Sequence, residues 1–147
     1  MNIEHFAKEV TKILPHIIRG IVKNQNDALK KGTITLPQYL TLNILSLQGP
    51  LKMKDIAAEL NISLPAATGL IDRLYSIKTI ERIYDKKDRR VIYIKITEKG
   101  KKMVKDIRLE REKEIIALFS KLTEREREDY LNILKKIKTG LYQNEER

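Results

Sequence analysis

The fold is decided by residues 54–100, which read KDIAAELNISLPAATGLIDRLYSIKTIERIYDKKDRRVIYIKITEKG. Apolar residues at helical spacing predict a short helix over 54–60, and Asn61 tolerates the left-handed backbone that a tight turn needs. Ser63 then caps a second helix that runs to about Ser76. The first half of the stretch therefore predicts two helices joined by a tight turn.

The second half changes from helical spacing to short runs of β-branched and aromatic residues. Residues 80–84 and 91–96 predict two strands, and the charged segment 85–90 lies between them. Alternate residues of a strand share a face, and the face of the second strand that we expect to be buried carries Ile92, Ile94 and Ile96. The stretch therefore ends in a hairpin with a charged tip.

Two helices are predicted before this stretch. An apolar stripe predicts the first over 4–30. Pro15 lies within the stripe and should kink the helix or mark a late start, because proline removes a backbone hydrogen bond. A capping box at 35–38 predicts a second helix over 36–48, which is apolar nearly all round and is therefore expected to be buried.

Two further helices follow the hairpin. Thr97 caps the first, and a second capping box at 123–126 begins the last. The predicted fold class is mainly α with a small β-hairpin wing, a winged helix-turn-helix flanked by other helices. We divide the chain into an N-terminal helix at 1–34, the winged helix-turn-helix at 35–97 and C-terminal helices at 98–147.

Composition excludes several kinds of site. The chain has no cysteine, which excludes disulfides, thiolate zinc sites and thiol-based redox sensing. Its only histidines, His5 and His16, lie eleven residues apart, and no nucleophile–base pair, phosphate loop or zinc signature is present. We therefore expect no enzymatic activity, no metal and no cofactor.

No apolar run is long enough to span a membrane and no signal peptide is seen, so a cytoplasmic location is expected.

Positive charge is concentrated in one quarter of the chain. The net charge is +10, and residues 73–108 alone carry 13 Lys and Arg against 5 Asp and Glu. A concentrated basic segment favours a polyanionic partner, although a solvated basic surface gives the same pattern. A helix fits the DNA major groove and an arginine-tipped hairpin fits the minor groove, so the helix–turn–helix–hairpin order points to double-stranded DNA.

The sequence resembles the MarR family of bacterial and archaeal regulators over essentially its whole length. Residues 85–91 followed by Ile96-Thr97-Glu98-Lys99-Gly100 are similar to the wing pattern of the family, with Ile96 in place of a leucine. Segments 56–60 and 68–74 resemble its two DNA-binding helices. The chain departs from the family at Lys78-Thr79, where many members carry glycine, and at Pro15.

The resemblance implies a homodimer in which the segments 1–34 and 98–147 intertwine as dimerisation helices. One winged head per chain would then address a palindromic operator, with half-sites about one helical turn apart. The apolar stripes of residues 6–22 and 115–141 suit that role, because an isolated chain would expose them. The resemblance also favours a transcriptional repressor.

The resemblance carries specific roles onto this chain. Recognition-helix positions that face bases or phosphates would be Ser63, Pro65, Ala66, Thr68 and Arg73. Wing contacts would come from Lys86, Lys87, Arg89 and Arg90, with an arginine in the minor groove and Asp88 orienting an arginine. Simple helix capping by Ser63, a surface ion pair of Arg73 and solvation of the lysines are the alternatives.

Many family members release DNA when a small aromatic or phenolic ligand binds, and the side chains that would line such a crevice here are His16, Arg19 and Tyr39. Ordinary surface and core roles are the alternative for all three.

Two other functions remain open: a winged-helix protein that coats DNA without sequence choice or acts through partners, and an RNA-binding winged helix. The second has little support, since few aromatic residues lie in the basic segment.

Overall fold

The computed structural model describes residues 1–31 and 34–143. The elements in this part of the chain are α1 (Ile3–Lys31), α2 (Leu36–Gln48), α3 (Met53–Glu59), α4 (Leu64–Ser76), β1 (Ile80–Tyr84), β2 (Ile92–Ile96), α5 (Glu98–Phe119) and α6 (Glu124–Gln143). The mainly α fold with one small hairpin is therefore confirmed. The chain forms two compact units, Met1–Glu110 and Arg111–Arg147.

The core of the first unit joins α2, α3 and α4 to the hairpin and the start of α5. Its fully buried side chains include Leu42, Leu45, Ile56, Ile71, Leu74, Ile80 and Ile94. Leu51 also adds a short bridge to the outer side of β2, because Leu51 and Ile94 exchange two backbone hydrogen bonds of 3.1 and 2.7 Å. This third pairing segment was not predicted from the sequence.

The first helix does not start late. α1 begins at Ile3 and contains Pro15, so the prediction that Pro15 could mark the helix start is wrong. The boundaries of α2 agree with the predicted range 36–48, and the Thr35 N–H donates to Gln38 Oε1 at 2.8 Å, as expected for the capping box.

The prediction that α2 is buried all round is also wrong. Only the face with Tyr39, Leu42 and Leu45 packs into the core of the unit. The large apolar residues of α2 that stay exposed are Leu36, Leu40 and Leu47. α2 contacts α4 and β2, and its remaining surface stays exposed because an apolar helix is buried all round only where other elements cover every side.

The helices α3 and α4 end in the same way. In each, the residue after the C-cap has positive φ, at +51° for Asn61 and +62° for Lys78. The following N–H groups donate back to the last turn, from Ile62 to Ala57 O at 3.0 Å and from Thr79 to Leu74 O at 3.1 Å. This is the Schellman arrangement. The turn predicted at Asn61 is therefore confirmed, and Lys78 adopts the conformation for which other sequences use glycine.

We expect Lys78→Gly to raise the free energy of unfolding by about 0.5–1 kcal/mol. A left-handed lysine costs more than a left-handed glycine, and the greater freedom of glycine in the unfolded chain offsets only part of that gain. Urea denaturation measures the change. The matched control is Lys105→Gly within α5, which should lower stability by about 1 kcal/mol. An equal loss of stability in the two variants would show that the positive φ of Lys78 does not strain the backbone.

The second unit contains the end of α5 and all of α6. Thr123 and Glu126 form the predicted capping box, in which the Thr123 N–H donates to Glu126 Oε2 at 2.7 Å and the Glu126 N–H donates to Thr123 Oγ1 at 3.3 Å. The rings of Phe119 and Tyr130 lie 5.1 Å apart. Many apolar side chains of this unit are nevertheless exposed, among them Ile115, Ile116, Leu118, Leu131, Ile133, Leu134, Ile137 and Leu141.

Candidate nucleic-acid interface

One face of α4 is buried and the opposite face is open to solvent. Ala67, Ile71 and Leu74 are fully buried and fix the helix on the core. The exposed residues include every predicted recognition-helix position, namely Ser63, Pro65, Ala66, Thr68 and Arg73. α4 thus presents the whole predicted set on its exposed surface.

The polar groups at the start of α4 are partly used by the helix itself. Ser63 Oγ accepts a hydrogen bond from the Ala66 N–H at 3.3 Å, so the predicted cap is present. Thr68 Oγ1 donates to Leu64 O at 3.0 Å. The Arg73 side chain has no ion pair or hydrogen bond with residues 1–20, 23 or 34–141, the residues whose side chains are described. Leu64, a large apolar residue that was not among the predicted site residues, is also exposed.

The tip of the hairpin is a compact turn organised by Asp85. Its Oδ1 accepts hydrogen bonds from the Lys87 N–H at 2.7 Å and the Asp88 N–H at 3.0 Å. These two bonds hold the pKa of Asp85 below its ordinary value of 3.8, so the carboxylate is ionised throughout the neutral range. Backbone bonds from Asp85 N to Val91 O at 2.9 Å and from Val91 N to Asp88 O at 3.0 Å close the turn. The role of Asp85 was not predicted, although an aspartate before a turn is the residue that such a turn favours.

The four cations of the tip differ in how they are held. Asp88 Oδ1 accepts hydrogen bonds from the backbone N–H of Arg90 at 3.0 Å and from its Nε at 3.2 Å. Arg89, Lys86 and Lys87 are exposed, and their side chains bind no other residue of the part that the structure describes. The tip therefore presents three uncommitted cations and one arginine oriented by a neighbouring carboxylate.

The hairpin is tied to α4 by a side chain that sequence analysis did not single out. Arg82 of β1 forms an ion pair with Asp72 of α4 at 2.5 Å, and its guanidinium lies 5.1 Å from the centre of the Tyr75 ring. Both contacts join β1 directly to the helix that carries the exposed face. No local pattern predicts them, because the partners are ten and seven residues apart and belong to different elements.

We expect a double-mutant cycle of Asp72→Asn and Arg82→Gln to give a coupling energy of about 0.5–1 kcal/mol in urea denaturation. The value is modest because the side chains of Asp72 and Arg82 are 59% and 36% exposed. Added salt should reduce it by screening the pair. A coupling energy of zero at low salt would mean that the contact does not hold β1 on α4.

The junction on the other side of the hairpin uses the motif 97–100. Thr97 Oγ1 donates to Lys78 O at 2.8 Å and accepts from the Gly100 N–H at 3.2 Å. The Thr97 N–H donates to Thr79 O at 3.0 Å. Lys99 Nζ donates to Ile77 O at 2.8 Å, at the end of α4. The motif therefore fastens the start of α5 to the turn between α4 and β1.

The predicted ligand crevice falls on residues with different environments. Tyr39 is 7% exposed and belongs to the core of the first unit. His16 and Arg19 are exposed side chains of α1.

Within the described ranges, no group of three or more His, Asp or Glu side chains is arranged to hold a metal ion. Nor does any described helix combine the length and apolarity required to cross a membrane.

Comparison with known proteins gives a consistent result. Residues 34–92 match the sequence model of the MarR family. The chain is 34% identical over 96 residues to the uncharacterized HTH-type transcriptional regulator YpoP of Bacillus subtilis, which covers 65% of this chain and 67% of that protein. A MarR family protein from Bacillus stearothermophilus has the same fold, with a TM-score of 0.87, 22% identity and coverage of 97% and 99% of the two chains.

A further solved structure is that of a mutant of MepR from S. aureus bound to an oligodeoxyribonucleotide. It is 28% identical to this chain with a TM-score of 0.68, and the match covers 89% of this chain and 96% of that one. The winged helix-turn-helix geometry, the family match and these relatives agree. This chain belongs to the MarR family of DNA-binding transcriptional regulators.

Proposed function

We propose that the chain is a sequence-specific regulator, most simply a repressor, that binds a palindromic operator in double-stranded DNA as a homodimer. The observation that carries the proposal is the exposed cationic tip formed by Lys86, Lys87, Arg89 and the Asp88-held Arg90. Arg82 fixes β1, the strand that leads to this tip, to α4. A groove-reading helix and a cationic hairpin held together are suited to adjacent grooves of one duplex.

We assign each predicted contact residue to a groove or to a phosphate of the duplex. The exposed face of α4 enters the major groove, with Ser63, Pro65, Ala66 and Thr68 near the bases and Arg73 on a phosphate. Arg89 or Arg90 enters the minor groove, where negative potential is concentrated, and Lys86 and Lys87 contact phosphates. Asp88 orients Arg90 through its two hydrogen bonds and does not contact DNA, because a carboxylate is repelled by phosphate.

Exposed apolar helices support the homodimer. The apolar residues of α1 that a single chain leaves exposed include Phe6, Ile13, Leu14, Ile17 and Ile18. The second unit exposes the comparable set given above for α5 and α6. Apolar surfaces of this extent on soluble proteins mark interfaces. A symmetric pair of heads then requires half-sites about one helical turn apart. A chromosomal regulator of this kind acts in the cytoplasm.

The proposal includes release of DNA by a small aromatic or phenolic effector near His16, Arg19 and Tyr39. The burial of Tyr39 means that a ligand in contact with its ring would have to displace core neighbours. Ligand binding would therefore be coupled to the packing of α2, which contacts both α4 and β2.

The test is selection of bound duplexes from a random pool by the full-length protein. We expect enrichment of a palindrome with half-sites about 10 base pairs apart. The selected duplex should bind at least about 1000-fold more tightly than a scrambled one. Equal binding of both duplexes would favour the alternative, a protein that coats DNA without sequence choice. If neither binds, a role through protein partners takes precedence.

A further inference from the structure

The hairpin has two faces that differ in what covers them. Three cross-strand pairs share the face directed at the core and α4, and they are Ile80–Ile96, Arg82–Ile94 and Tyr84–Ile92. The side chains of the first two pairs contact the rest of the protein, since Ile80, Ile94 and Ile96 are buried in the core and Arg82 binds α4. The third pair lies nearest the tip, beyond the edge of the core.

This third pair is open to solvent. Tyr84 is 62% exposed and Ile92 is 39% exposed, so the prediction that Ile92 is buried with Ile94 and Ile96 is wrong. Ile92 is exposed because the core ends one cross-strand pair earlier. The hydroxyl of Tyr84 has no hydrogen-bond partner among residues 1–20, 23 and 34–141, whose side chains the structure describes. An aromatic ring, a free hydroxyl and a branched aliphatic chain thus form an uncovered patch, here called the Tyr84–Ile92 patch.

We propose that the Tyr84–Ile92 patch packs against the sugar–phosphate backbone of the bound duplex, with the Tyr84 hydroxyl donating to a phosphate oxygen. The inference rests on the proposed function and assigns two contacts beyond the recognition helix and the tip. Tyrosine suits this role because its ring covers apolar deoxyribose carbons while its hydroxyl reaches a charged oxygen.

Charge and position identify the duplex as the occupant. Lys86, Lys87, Arg89 and Arg90 follow Tyr84 within six residues, and their side chains form the cationic tip. On the inner side, Arg82 links the same face to α4. A polyanion that contacts both α4 and the tip must therefore pass the patch that lies between them along the hairpin. A contact with the backbone carries no sequence information, which makes the proposal testable.

The first test compares Tyr84→Ala and Tyr84→Phe with the parent protein on the selected duplex and on a scrambled duplex. Tyr84→Ala should weaken both complexes about tenfold, and Tyr84→Phe should account for part of that loss through the missing hydrogen bond to phosphate. The ratio between the two duplexes should stay constant. The dependence of affinity on salt should also stay constant, because no charge is removed. Thermal melting followed by circular dichroism checks that both variants remain folded.

The second test uses the absence of tryptophan from the chain. Tyr84→Trp places the only tryptophan of the chain in the patch. With excitation selective for tryptophan over tyrosine, we expect a saturating amount of the selected duplex to protect its fluorescence from acrylamide quenching. The matched control is Tyr93→Trp, since Tyr93 pairs with Ile83 on the opposite face of the same hairpin. Its quenching should not change when DNA binds.

The outcomes separate this inference from the proposed function. If the Tyr84 variants bind like the parent while loss of Arg89 and Arg90 weakens binding, the patch assignment is wrong and the regulator stands. A loss confined to the selected duplex would make Tyr84 a base reader and overturn the backbone contact. Protection from acrylamide that depends on protein concentration without DNA would assign the patch to a second copy. If the parent binds no duplex, both proposals fail.

Discussion

The Arg89→Ala/Arg90→Ala double variant is expected to bind the selected operator about 100-fold more weakly than the parent. An arginine in a groove contributes on the order of 1–3 kcal/mol, and a phosphate contact contributes about one unit to the salt slope. Arg89 is exposed and uncommitted, and Arg90 is held by Asp88, so neither side chain supports the core. Affinity should therefore fall without loss of stability, and the slope against salt should fall by about 2.

Fluorescence anisotropy with a labelled duplex at several salt concentrations measures both quantities. The matched control is Lys135→Ala/Lys136→Ala, which removes two consecutive exposed cations from α6. This control lowers the net charge by the same amount outside the winged helix-turn-helix. If the two double variants lose the same affinity, the effect is one of overall charge, and the assignment of the hairpin as a DNA-binding wing is wrong.

Local patterns predicted most element boundaries because the relevant physics is local. Capping boxes at Thr35 and Thr123 and the cap at Ser63 use hydrogen bonds within one turn, and α2, α4 and α6 begin where those residues indicate. Asn61 marks its turn because asparagine tolerates positive φ. Lys78 adopts the same conformation without such a signal. There the surrounding contacts determine the backbone, including the Thr97 bond to Lys78 O.

The sequence predicted which residues the candidate site contains. It did not predict the contacts that join the elements of the site. Exposure of the recognition-helix residues follows from the periodicity that buries Ala67, Ile71 and Leu74. The Arg82–Asp72 contact and the pairing of Leu51 with β2 depend on how elements meet in space, which a sequence pattern does not encode. How far the core extends along the hairpin also depends on the packing of elements in space. Ile92 is exposed because it lies beyond the end of the core.

The turn of Asp85 shows how local and tertiary information combine at the tip. The sequence places Asp85 and Asp88 among four cations, and only Asp88 was predicted to orient an arginine. The structure separates their tasks, since Asp85 binds the backbone N–H groups of the turn and Asp88 binds Arg90. Asp85 therefore shapes the tip, and Asp88 determines where one of its arginines points.

Gly100→Ala is expected to lower the free energy of unfolding by about 2–4 kcal/mol, a large fraction of the stability of an ordinary domain. A Cβ at this position would lie 2.3 Å from Thr79 O and 2.7 Å from Ile96 Cγ1. The Ile96 side chain can rotate, but Thr79 O is part of the backbone and accepts the Thr97 N–H at 3.0 Å. The alanine therefore fits only if the start of α5 moves away from the turn between α4 and β1.

The control separates this steric effect from the general effect of replacing a helical glycine. Gly69 lies in α4, and nothing approaches within 4 Å of the position that its Cβ would occupy. Gly69→Ala should raise stability by about 0.5–1 kcal/mol, since alanine favours the helix. Urea denaturation of both variants gives the comparison. Opposite signs would show that Gly100 is required because two backbone segments meet there. A gain in both variants would mean that the junction yields easily, and that the glycine of the 97–100 motif has another role.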